Sequence, residues 1–235
     1  MTLTVKICGL RTPETLEAAL EAGADMVGFV FFPRSPRHLQ YSEARTLAAQ
    51  VGGRAERVAL TVDADDAMLA SVIDALQPDL LQLHGSESIE RVADIKARFG
   101  LPVMKAIGVS GRTDLARAAE YAAVSDRILF DAKPPKDARH PGGNGVSFDW
   151  EILAGLDLAK PFLVSGGLDA ENVATALAIT HAPGVDVSSG VESSPGVKDS
   201  ARIAAFVLAA RAGASPRLSG APVVAGQRDP PARRA

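Results

Sequence analysis

Eight times along the chain, a short apolar, β-branched run gives way to a longer segment with helical spacing. The runs expected to form strands are Val5–Cys8, Met26–Phe31, Arg57–Val62, Leu80–His84, Val103–Ile107, Ile128–Asp131, Phe162–Ser165 and Val185–Ser188. The segments between and after them are Thr12–Ala22, Ser42–Gln50, Asp65–Leu76, Ser86–Phe99, Asp114–Ala123, Phe148–Leu153, Ala170–Thr180 and Ser200–Ala212. Several carry apolar residues at i, i+3 and i+4 and open on Ser, Thr or Asp, the side chains that cap a helix N-terminus. Strict alternation means parallel strands joined by helical crossovers, and eight units are the number that closes a (β/α)8 TIM barrel. The rival is an open doubly wound sheet. Against it, the first strand runs into Cys8-Gly9-Leu10-Arg11 rather than a G-x-G-x-x-G turn, and the units stop at eight. A single α/β barrel over residues 1–212 is therefore expected. Residues 213–235, rich in Ala, Pro, Gly and Arg and without apolar period, are expected to be a disordered C-terminal tail, solvated or serving as an interaction tail.

In such a barrel the site lies at the C-terminal ends of the strands. Polar residues fall there: Cys8, Arg37, His84, Asp131, Ser165-Gly166-Gly167 and Ser188-Ser189-Gly190. The last two triplets follow strands seven and eight, the loops that commonly bind phosphate in these barrels, where glycine lets exposed N–H groups approach an anion. Cys8 and Asp131 end strands one and six, three steps apart around a ring of eight, so they face each other across the mouth. Lys6 leaves the same face of its strand as Cys8. It either favours the thiolate, the basic form, or is an interior lysine paired with a carboxylate. Arg37, with Arg34 as its competitor, lies in the loop after strand two, and arginine clamps a carboxylate through two parallel hydrogen bonds. Gln82 and His84 end strand four, lining the pocket or serving the structure. Asn144 sits in a glycine-rich loop after strand six that would serve as a lid over Asp131.

Composition removes other classes. Apolar residues make up 47% of the 235, enough for a large core, and the net charge is -3 with signs mixed, so no nucleic-acid partner is expected. No apolar run reaches the roughly 18 residues that span a membrane, and the first ten residues lack a signal-peptide pattern. A lone cysteine precludes an internal disulfide and fits a reducing, cytoplasmic setting. His, Cys and carboxylates show no metal-ligand spacing, so no metal is expected.

The motifs KICGL at Lys6–Leu10, GFVFFPRSPRHL at Gly28–Leu39, LQLHG at Leu81–Gly85, LFDAK at Leu129–Lys133, LVSGGL at Leu163–Leu168 and GVDVSSGVE at Gly184–Glu192 resemble the phosphoribosylanthranilate isomerase family. The GGNG..FDW segment at Gly142–Trp150 belongs to the same likeness, which spans about residues 3–212. The resemblance implies an Amadori rearrangement of N-(5-phosphoribosyl)anthranilate, a step of tryptophan biosynthesis, with no cofactor because the substrate supplies its own imine. It implies that Cys8 is the general base and Asp131 the general acid, that Arg37 holds the anthranilate carboxylate, and that the two Ser/Gly loops hold the phosphate. Gln82, His84 and Asp186 join the substrate-binding set. The sister isomerase of histidine biosynthesis typically has an aspartate at the Cys8 position and a two-half repeat, and this chain has neither. Besides the phosphosugar, the expected partner is at most a second copy of the chain, as a monomer or homodimer.

Overall fold

The computed structural model describes residues 2–133, 142, 143, 145 and 147–214. Asn144, and the tail from residue 215 on, lie outside the described residues. Eight parallel strands close into one barrel in chain order: β1 (Thr4–Cys8), β2 (Met26–Phe31), β3 (Glu56–Thr61), β4 (Leu80–Leu83), β5 (Val103–Val109), β6 (Arg127–Ala132), β7 (Phe162–Val164) and β8 (Gly184–Val187). The ring shuts where β1 pairs with β8, Lys6 opposite Asp186. The helices are α1 (Pro13–Glu21), α2 (Tyr41–Val51), α3 (Asp66–Leu76), α4 (Ile89–Phe99), α5 (Thr113–Val124), α6 (Val173–Thr180) and α7 (Ser200–Ala214).

Side-chain capping sets several of the helix starts. The Thr12, Asp65 and Ser88 oxygens accept from the N–H groups of Thr15, Met68 and Arg91, donors that no helical carbonyl can reach. The expected sixth helix, Phe148–Leu153, is instead one 3-10 turn, Trp150–Leu153, capped by Asp149 and followed by Gly155 at a φ of 69°. Six residues are too few to repay helix nucleation, but Leu153 still buries fully against the core, with Phe148 and Trp150 packed beside it. A short hairpin after β8, β9 (Glu192–Ser194) with β10 (Val197–Lys198), was not anticipated from the sequence. Gly213 lies inside α7, its Cα face against Ala174.

Strand alternation sorts the side chains. Outward residues such as Phe29, Phe31 and Phe130 fill the layer between barrel and helices, each worth roughly 1.5–3 kcal/mol of burial. Inward residues near the strand starts, Met26, Val58, Leu80, Met104, Leu129 and Leu163, plug the barrel floor. Above them the interior turns polar. Lys6 and Gln82 have no exposed surface, and Asp186 has 4%. Arg211 fastens α7 to the barrel's beginning through the carbonyls of Leu3 and Gly23 and the Asp25 carboxylate. None of the described helices is long and apolar enough to cross a membrane.

Candidate active site

The mouth of the barrel opens into a concave pocket lined by residues from the ends of several strands. Its wall holds Cys8, Arg37, Gln82, His84, Asp131, Ser165, Gly166, Gly167, Asp186, Ser188 and Ser189. Gly190, expected with them, stands behind the wall against the backbone of Leu168, where any side chain would strike the carbonyl.

Cys8 is the last residue of β1 and 3% exposed. Gly28, its partner on β2, has no side chain in the space above the pair. A Cβ there would lie 2.9 Å from Cys8 Sγ and 3.2 Å from Lys6 Nζ, so glycine leaves room for the thiol and the ammonium to share one site. Lys6 Nζ donates to Asp186 Oδ1 at 2.7 Å, and Asp186 Oδ2 accepts from Ser165 Oγ at 3.3 Å. Both alternatives for Lys6 thus hold together: it is an interior lysine paired with a carboxylate, and it also adjoins the thiol. Burial pulls Lys6 down, but Asp186, with Cys8 beside it, raises it overall and keeps it charged. For Cys8 the balance runs the other way from the sequence expectation. Burial pushes the thiol up and, with Asp186, outweighs the lowering by Lys6 and Lys198, so the proton is held more tightly than on an ordinary cysteine.

Asp131, on β6 and 6% exposed, is held at both oxygens. Oδ1 accepts from the Ala132 N–H at 2.9 Å, and Oδ2 lies 3.2 Å from His84 Nε2. His84 Nδ1 in turn meets Gln82 Nε2 at 2.9 Å. With the amide donating to Nδ1, the imidazole carries its proton on Nε2 and offers it to Asp131.

After β7, Gly166 and Gly167 have φ of 83° and 66°, a left-handed stretch that a side chain would strain, and both residues line the pocket. Among the described residues, the N–H groups of Gly167, Ser189 and Gly190 donate to no protein backbone acceptor. Opposite them, Val30, Phe32, Leu60 and Val62 make an apolar wall. Arg37 is buried and lines the pocket, while Arg34 is exposed, which separates the two candidates. The expected two-pronged clamp is turned aside, however. Nε and Nη2 of Arg37 are spent on Glu192, at 2.7 and 2.8 Å, and Nη2 also donates to the Gly143 carbonyl at 3.1 Å. Only Nη1 has no acceptor among the described residues. No group of three or more described His, Cys, Asp or Glu residues is placed to hold a metal ion.

A family model described as N-(5′-phosphoribosyl)anthranilate isomerase matches residues 5–209. The chain belongs to this family. It is 64% identical over 212 residues to the isomerase of Nitrobacter winogradskyi, covering 90% of this chain and 94% of that one. Monomers of the dimeric isomerase of Thermotoga maritima superpose with a TM-score of 0.78 at 36% identity, over 90% of this chain and 100% of theirs. An isomerase structure in complex with reduced 1-(o-carboxyphenylamino)-1-deoxyribulose 5-phosphate gives 0.78 at 35% identity, with the same coverage.

Within this isomerase, two polar site neighbours carried no assigned role in the sequence. Glu192 stood inside a recognised motif, and Lys198 lay beyond it. Their signal was the Pro195-Gly196 turn, which folds the chain back and pairs Lys198 with Glu192. Of the apolar wall, the sequence showed Val30, Leu60 and Val62 simply as strand and Phe32 as the start of the loop after strand two.

Proposed function

We propose that the chain converts N-(5-phosphoribosyl)anthranilate to 1-(2-carboxyphenylamino)-1-deoxyribulose 5-phosphate, with Asp131 as general acid and Cys8 as general base. The observation that carries this reading is that one pocket is lined by a carboxyl, a thiol, a guanidinium and a glycine-rich turn, with a guanidinium nitrogen and N–H groups that have no acceptor among the described residues. The phosphate suits Gly167 and Ser189, with Gly190 directly behind them. The aromatic ring suits the wall of Val30, Phe32, Leu60 and Val62, with its carboxylate toward Arg37 Nη1. The ribose then spans the space between Cys8 and Asp131.

Asp131 gives a proton to the furanose oxygen. The C1′–O bond breaks and the anthranilate nitrogen's lone pair forms the C1′=N iminium. The carboxylate left behind is met by donors already in place, the Ala132 N–H and His84 Nε2–H, which stabilise it as charge develops. The Cys8 thiolate then takes the proton from C2′. Those electrons form the C1′=C2′ bond and quench the iminium, and the enolamine becomes the ketone by moving the C2′ hydroxyl proton to C1′. The iminium serves as the electron sink, and Lys6 stabilises the thiolate that Cys8 must become. The enzyme would act in tryptophan biosynthesis in the cytoplasm, as a monomer or, like its Thermotoga relative, a dimer.

The test offers the purified protein phosphoribosylanthranilate and, separately, the aminoaldose of histidine biosynthesis. Anthranilate fluorescence should fall on turnover of the first without added metal or cofactor. Turnover of the second alone would overturn the reading.

A further inference from the structure

Around Arg37 lie two buried charged residues, Glu192 and Lys198, to which the mechanism above gives no role. Glu192, 6% exposed, accepts four hydrogen bonds: from Arg37 Nε and Lys198 Nζ at Oε1, and from Arg37 Nη2 and the Gly196 N–H at Oε2. Lys198, 8% exposed, spends its other donors on the Ser188 carbonyl at 2.8 Å and the Ser188 hydroxyl at 3.2 Å. Ser188 Oγ donates onward to the Cys8 carbonyl at 3.1 Å. Every acceptor position of the Glu192 carboxylate is filled, so the group cannot turn. A side chain that binds both Nε and Nη2 fixes the plane and the rotation of a guanidinium. It also decides which nitrogen remains for anything else, and among the described residues that is Nη1, packed against Gly143, which like Arg37 lines the pocket.

We infer that Glu192 is a positioning residue that sets the isomerase's preference for an aromatic amine bearing a carboxylate, by holding Arg37 with Nη1 toward the substrate. Lys198 serves the same arrangement. Two cations against one carboxylate leave the cluster one positive charge, so that Glu192 does not cancel the attraction Arg37 has for an anion. Lys198 also ties the cluster to Ser188 in the loop after β8, so that the carboxylate and phosphate ends of the site are held in fixed register. Without Glu192 the Arg37 side chain, with several rotatable bonds, would spread over many rotamers, and the carboxylate would meet it in only a fraction of them. This inference rests on the reading that Arg37 receives the substrate carboxylate.

The experiment compares two substrates, N-(5-phosphoribosyl)anthranilate and N-(5-phosphoribosyl)aniline, which lacks only the carboxylate. The ketose product is followed by NMR for both, and the quantity read is the ratio of their kcat/KM values. Arg37→Ala should lower that ratio about tenfold or more, the worth of a charge-assisted hydrogen bond. Glu192→Gln should lower it by a similar factor, mainly by raising KM for the carboxylate substrate, and the double variant should be little worse than Arg37→Ala. Glu192→Asp keeps the charge but draws the guanidinium back by one methylene. It should show the same selective loss, and it serves if Glu192→Gln melts below the assay temperature. If Arg37→Ala lowers the ratio and both Glu192 variants leave it unchanged, Glu192 is only structural and the inference is overturned. If Arg37→Ala itself leaves the ratio unchanged, the reading of Arg37 fails, and the inference with it.

Discussion

At the scale of single residues, the proposed chemistry asks a buried thiol to take its basic form. Burial raises Cys8 and the Lys6 ammonium lowers it, with burial ahead. The chain has one cysteine, so thiolate absorbance reports Cys8 alone. Its midpoint in the substrate-free enzyme should lie above the ordinary value of 9.0. Replacing Lys6 by Met together with Asp186 by Asn removes a cation that favours the thiolate and a weaker anion that opposes it. The midpoint should therefore move further up, and less thiolate should be present at any given pH. A midpoint below 9.0, or a downward move in the variant, would mean that burial does not govern this group. Cys8 and Asp131 were legible in the sequence because a polar residue at the end of an apolar strand has only the mouth of the barrel to face. The partner of Arg37 was not legible, since Glu192 stands 155 residues away and only the closed ring brings the two together. The turned guanidinium edge follows from that contact and from nothing local.

At the scale of elements, hydrophobic period and caps located all eight strands and most of the helices. They overstated the crossover after β6, where apolar residues at helical spacing settle into a single 3-10 turn because the segment is too short. They missed the β9–β10 hairpin, whose strands of three and two residues are too short to show a period. Helix α5 gives an element-scale test. Its start is held by Asp114, which accepts from the N–H groups of Ser110 and Gly111 and pairs with Lys133 at 2.8 Å. Partial burial raises this carboxyl, but the Lys133 ammonium and the two N–H groups outweigh it and hold it down at about 2. A carboxylate depressed on folding stabilises the fold above its unfolded value of about 3.9, and that stabilisation is lost as the pH falls through the folded value, here between about 4 and 2. Asp114→Asn should therefore cost about 1 kcal/mol at pH 7, or roughly 2–4 °C in Tm, and much less at pH 2. An equal loss at both pH values would show that the charge plays no part.

At the scale of the whole molecule, the barrel is what makes two distant carboxyl and thiol groups into one site. Cys8 on β1 and Asp131 on β6 share no element, and their strands are separated by β7 and β8 around the ring. Closure of β8 onto β1 sets their separation, and the loops after β7 and β8, the proposed phosphate donors, lie between them. The central claim is that these two residues perform the proton transfers. Its most direct test is the turnover number of Cys8→Ser and Asp131→Asn on N-(5-phosphoribosyl)anthranilate, measured across pH with the C2′ hydrogen and again with deuterium there. Each variant should lose about 10²–10⁴-fold in kcat with KM little changed, and Cys8→Ser should show a larger isotope effect than the native enzyme because C2′ proton removal becomes rate-limiting. Near-native turnover by Cys8→Ser across the pH range would contradict the assignment and make His84 the next residue to test as the base.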